Sequence, residues 1–131
     1  PKKPFGRVAL ALAPSSPQNL WAIVESENTG LYISADGGDT WKQQSATSNI
    51  VSRPFYFSTL EVDPKDPKRV YRPAFSFSYS NDGGFSFADA SNEGGWVHSD
   101  HHALWINPNN GNHLINIFQS YNMFIAFLFL N

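Results

Sequence analysis

The feature that most constrains this chain is an eight-residue pattern that occurs twice, at matching places in a longer repeat. Ser34-Ala35-Asp36-Gly37-Gly38-Asp39-Thr40-Trp41 fits S-x-D-x-G-x-T-W without a mismatch. Ser80-Asn81-Asp82-Gly83-Gly84-Phe85-Ser86-Phe87 fits it with Ser for Thr and Phe for Trp, 46 residues further on. Both copies carry hairpin-turn chemistry. Asp36 and Asp82 can accept hydrogen bonds from N–H groups of their own loop, and Gly38 and Gly84 can take φ > 0. Trp41 and Phe87 are placed to pack the returning strand onto a neighbouring sheet. With Ser34, Thr40, Ser80 and Ser86 at the remaining fixed positions, these residues are expected to hold the fold. A calcium loop would need acids at alternate positions and a closing Glu. A phosphate loop would need a terminal Lys and a following helix.

The two copies sit inside three segments of one plan: an alternating strand, a proline turn and a second strand. The segments are Val8 to Pro14 followed by Leu20 to Val24, Phe57 to Pro64 followed by Val70-Tyr71, and His102 to Pro108 followed by Leu114-Ile115. The first proline recurs at Pro14, Pro64 and Pro108, steps of 50 and 44 residues. Proline fixes φ and cannot donate to a ladder, so it ends one strand and starts the reversal. A unit of this length holds four short strands, the blade of a β-propeller. The expectation is an all-β chain: a partial β-propeller of about two to three blades of four-stranded antiparallel sheet.

Composition supports strands and narrows the partners. Eleven Phe, five Tyr and four Trp beside nine Gly and nine Pro suit short strands punctuated by turns. A net charge of −2 without a basic face gives no reason to expect nucleic acid. The chain has no Cys, so disulfides and thiolate metal sites are excluded. The apolar run 115–131 is broken by Asn116, Gln119 and Asn122 and is too short for a membrane span. Residues 1–114 are expected to form the blades and 115–131 a divergent apolar tail. Unpaired strand edges at the ends of such a segment would favour partner binding.

With these motifs in view, the chain resembles the sortilin-type Asp-box (BNR) propeller proteins, in particular the large secreted bacterial members described as glycosyl-hydrolase-like. The matching stretches are Gly6-Arg7-Val8 with Ala11-Leu12-Ala13-Pro14, Gly30-Leu31-Tyr32 leading into the first box, Arg53-Pro54-Phe55-Tyr56-Phe57-Ser58 with Val62-Asp63-Pro64, the second box, and His98-Ser99-Asp100-His101-His102 running to Pro108. Such proteins would continue after Leu114 through a glycine-rich segment to a third box, whereas residues 115–131 contain no Gly, Asp or Pro. The resemblance implies a piece of a larger, extracytoplasmic propeller completed by further blades. It implies a binding scaffold for a carbohydrate or peptide ligand, with a xyloglucanase-like glycoside hydrolase as the alternative.

The candidate ligand residues lie where blades begin. His98, Asp100, His101 and His102 form the densest polar cluster, just before the first strand of the third segment. Asp100 with His101 or His102 would serve a general base, or Asp100 a carboxylate pair completed by Glu61 or Glu93. If His98, Asp100 and His102 alternated along one strand face they would suit a divalent ion. No second ligand cluster accompanies them, so neither a metal nor a cofactor is expected. Arg53 and Tyr56 flank Pro54-Phe55 and suit stacking and forked hydrogen bonds. Trp96, after Gly94-Gly95, is placed to stack on a sugar ring.

Overall fold

The computed structural model describes residues 1–51, 53, 59–90, 99–118 and 124–129. Among these residues are three antiparallel sheets in succession, each ordered as the chain runs. The first comprises β1 (Val8–Leu12), β2 (Leu20–Val24), β3 (Gly30–Ser34) and β4 (Lys42–Ser45). A helical turn, α1 (Ser48–Val51), leads to the second: β5 (Glu61–Val62), β6 (Val70–Pro73), β7 (Phe77–Ser80) and β8 (Ala88–Asp89). The third holds β9 (His101–Ile106), β10 (His113–Phe118) and β11 (Phe124–Phe129). Residue 114, expected to end the repeats, lies inside β10, and β10 and β11 pair in continuous register from His113↔Phe129 to Phe118↔Phe124.

Alternation in β1 sends Ala9 and Ala11 to one side and Val8, Leu10 and Leu12 to the other, because successive strand residues face opposite ways. The alanine side joins Trp21, Ile23 and Leu31 against Leu60, Val62 and Val70 of the second sheet. On the second sheet's far side, Tyr71 and Phe77 pack against Leu104, Ile106 and Leu114 of the third. Each sheet therefore has one face toward the preceding sheet and one toward the next, and the core lies in the two seams.

Polar links bind the seams at the end where the proline turns lie. Ser15 N–H donates to the Pro64 carbonyl, Lys65 Nζ to the Asn109 carbonyl and Arg69 Nη1 to Asn112 Oδ1. In the second turn the buried Asp63 accepts from the N–H groups of Lys65 and Asp66 through one oxygen, a local turn that Asp favours. Trp21 Nε1 crosses the first seam to donate to the Gly83 carbonyl at 3.0 Å. No helix among the described residues is long and apolar enough to cross a membrane.

Candidate functional site

The two S-x-D-x-G hairpins are nearly the same object. Ser34 Oγ donates to Asp36 Oδ1 and accepts from Gly38 N–H at 2.9 Å; Ser80 Oγ does the same with Asp82 and Gly84 N–H at 2.8 Å. Asp36 Oδ1 and Asp82 Oδ1 accept from the N–H of Thr40 and Ser86, and the second oxygens take the hydroxyls of the same residues. These hydrogen bonds stabilise the ionised form, holding Asp36 well below the usual carboxylate range and lowering Asp82 to about 2. Both glycines of each loop have positive φ: Gly37 77° and Gly38 104°, Gly83 80° and Gly84 97°. Gly37 and Gly83 N–H groups donate to Gln18 and Lys68 carbonyls, clamping each hairpin to the first turn of its own sheet.

The aromatic positions of the hairpins differ. Phe87 packs in the seam between the first two sheets. Trp41 instead lies on Ala22, Val24 and Tyr32 of its own sheet, on the face that no other sheet covers among the described residues, with Nε1 donating to the Gly38 carbonyl. The expected contact with a neighbouring sheet is therefore made by Phe87 and not by Trp41.

At the opposite end, where strands enter each sheet, three elements converge. After α1, whose Ile50 is fully buried in the first seam, comes Arg53 in the left-handed region (φ 45°). The β6–β7 turn presents Phe75, 47% exposed, and the Arg53 guanidinium carbon lies 5.5 Å from its ring centroid. The β9 entry brings Asp100, also left-handed (φ 66°), whose N–H donates to the Phe75 carbonyl at 3.1 Å; His101 N–H donates to the Ala74 carbonyl at 2.8 Å. Two non-glycine residues with positive φ beside one aromatic are the backbone strain that recurs at ligand sites. Below them Arg72 is fully buried, and loss of solvation lowers its guanidinium to about 10.

The histidines separate. His101 is in the core, its ring between Phe77 and Phe118 and its Nδ1 2.7 Å from Asn116 Nδ2. His102 is exposed. An irregular register, Ile117↔Ala103 followed by Phe118↔His101, passes over His102 and turns both His101 and Leu104 inward. Strand alternation is broken there, and Asp100 precedes the strand, so Asp100 and His102 are not successive residues of one strand face. Among the described residues no three His, Asp or Glu side chains gather as a metal site. His98, Tyr56 and Trp96 lie outside the described residues. Glu61, proposed as a partner acid, is half-buried opposite Tyr71, and burial pushes its carboxyl up.

Two solved structures share this arrangement of sheets. The GH74 enzyme of Niastella koreensis superposes with a TM-score of 0.71 at 18% identity, covering 94% of this chain and 22% of that one. An ancestral GH74 enzyme gives 0.65 at 17%, covering 87% and 13%. Both are β-propeller glycoside hydrolases. The three sheets are propeller blades. No protein-family model and no curated protein matches the chain. The chain spans about a fifth or less of the length of these neighbours, and at such identities the likeness establishes the fold alone.

Missing from the sequence reading were Phe75 and Arg72. Phe75 follows a Pro-Ala in an ordinary turn, and the one signal available was an aromatic between small residues at a blade's second reversal.

Proposed function

We propose that this chain is part of a glycoside-hydrolase-like Asp-box propeller of the sortilin type, acting outside the cytoplasm, whose strand-entry end binds a carbohydrate. The observation that carries this is the half-exposed Phe75 ring with Arg53 over it and strained Asp100 hydrogen-bonded to its backbone. An exposed ring supplies a flat apolar platform for a sugar face, while the guanidinium and carboxylate supply forked donors and acceptors for its hydroxyls. Peptide capture would use the same cation and ring, but the GH74 likeness favours a sugar. Further blades would complete the ring and the ligand surface.

Hydrolysis is the second reading, favoured by one observation: Glu61 is pushed up, as a general acid needs. It further requires a facing carboxylate at about 5–9.5 Å.

Calorimetric titration of the chain with soluble polysaccharides, xyloglucan included, tests the binding proposal. Phe75→Ala is expected to weaken binding at least tenfold with an unchanged melting temperature, since Phe75 is exposed at a turn. A chain that binds none of them, or binds equally well after the substitution, refutes the proposal.

A further inference from the structure

The turn between the first two strands is built alike in all three sheets. Asn19 N–H donates to the Ser16 carbonyl at 2.9 Å, Arg69 N–H to that of Asp66 at 3.0 Å and His113 N–H to that of Asn110 at 2.9 Å. Ser16, Asp66 and Asn110 therefore open equivalent reversals. The next residue is Pro17 in the first and Pro67 in the second, whereas the third has Gly111. Proline has no N–H. Asn110-Gly111 is the only Asn-Gly step in the chain, so here alone a carboxamide is followed by an N–H that no side chain hinders.

The local geometry suits attack by that nitrogen. Asn110 is exposed, and its Oδ1 accepts from Asn112 N–H at 3.1 Å. This bond folds the carboxamide back along its own backbone and polarises its carbonyl. Among the described residues the Gly111 N–H donates to no acceptor. Asp36-Gly37 and Asp82-Gly83 contain the same atoms but are locked. Gly37 and Gly83 N–H groups are held by the Gln18 and Lys68 carbonyls, and both oxygens of each carboxylate accept hydrogen bonds.

We infer that Asn110 is a site of spontaneous deamidation whose products act on the second seam. The Gly111 nitrogen gives up its proton to solvent and bonds to Asn110 Cγ, and the Cγ–Nδ2 bond breaks to release ammonia. Water then opens the resulting succinimide. Addition at Cγ leaves Asp on an unchanged backbone; addition at the main-chain carbonyl leaves isoAsp, with the chain rerouted through the side chain and lengthened by one carbon.

The two products differ in what they do to the turn. The second sheet already has an acid at this place: Asp66 Oδ1 accepts from Lys68 N–H at 3.0 Å, as Asn110 Oδ1 does from Asn112 N–H. The Asp product therefore keeps the reversal. IsoAsp breaks it, because the added carbon falls between two ties of the second seam. On one side the Asn109 carbonyl holds Lys65 Nζ at 2.9 Å, and on the other Asn112 Oδ1 holds Arg69 Nη1 at 2.7 Å. Gly111 has no room to absorb the shift, since even a Cβ there would overlap Asp63 Oδ2. The inference is independent of the carbohydrate proposal, which concerns the opposite end of the sheets.

Incubating the folded chain at neutral and mildly alkaline pH, then mapping its peptides with isoaspartyl methyltransferase labelling, reads the site. Asn110 is expected to convert fastest of the Asn residues, faster as pH rises, with isoAsp in excess over Asp and no label at Asp36 or Asp82. Asn110→Ser, which installs the residue of the first turn, is expected to fold and to abolish the label. Ion exchange separates the two products. The isoAsp form is expected to melt several degrees below the parent, and both the Asp form and Asn110→Asp to melt with it. An Asn110 still intact when another Asn has converted, no conversion at all, or equally fast labelling of Asp36 and Asp82 overturns the site. An isoAsp form that melts with the parent, or an Asn110→Asp variant that melts as low as the isoAsp form, overturns the effect on the seam.

Discussion

Substituting alanine for the second glycine of each hairpin separates backbone strain from inter-sheet packing. Gly38 and Gly84 have nearly the same φ, 104° and 97°, so Ala at either site is strained by about 1–3 kcal/mol. Their surroundings differ. A Cβ at Gly38 would stand 3.4 Å from Leu20 Cδ1, an ordinary contact, whereas at Gly84 it would stand 2.7 Å from Leu31 Cδ2. Leu31 is a fully buried residue of the preceding sheet, so displacing its methyl disturbs the seam, an overpacking cost of about 1–3 kcal/mol. Gly83→Ala is the control, with φ 80° and nothing within 4 Å. At about 3–4 °C per kcal/mol for a chain of this length, Gly84→Ala should melt about 3–12 °C below Gly38→Ala. Gly83→Ala should show the strain alone. Tryptophan fluorescence at low protein concentration reads all three. Equal melting of Gly84→Ala and Gly38→Ala would refute the packing of the first sheet on the second hairpin.

Acid stability follows from the hairpin carboxylates. Asp82 is lowered to about 2 and Asp36 is also depressed, so their stabilisation is present above the ordinary carboxylate value of about 4 and is lost as pH falls through the folded values. Denaturation midpoints should therefore drop between about pH 4 and 2, and Asp82→Asn should flatten that limb; an unchanged slope would contradict it. Because hydrogen bonds and not neighbouring charges cause the depression, added salt should change it little. In the core, His101→Leu should cost about 1–3 kcal/mol by leaving the Asn116 amide unpaired, and adding Asn116→Leu should recover part of that loss. A double-mutant cycle with no coupling would refute the pairing.

The parts legible in the sequence are those made by near neighbours in the chain. The bonds from Ser34 to Asp36 and from Asp36 to Thr40 span at most four residues, so a residue pattern specifies them completely. The alternation in β1 likewise states which residues face a seam. The strand-entry site was half visible: Arg53 and Asp100 could be marked as polar residues before strands, but not the ring between them. Phe75 meets Arg53 and Asp100 only because two loops and a turn from two sheets meet there, a contact no local pattern encodes. The inward direction of His101 is likewise not local. It depends on an irregularity set by the partner strand at Ile117 and Phe118, and a one-residue shift reverses inside and outside.

Each S-x-D-x-G hairpin is fastened to the proline turn of its own sheet, through Gly37 to Gln18 and Gly83 to Lys68, while the seams are stitched at that same end. The stack is thus secured from below, while at the rim Ile50 in the first seam and the Asp100 and His101 bonds to Phe75 and Ala74 across the second tie the entry segments down. Lengthening or exchanging the residues between these anchors should leave neighbouring sheets in register, so one scaffold can carry different recognition surfaces on its rim.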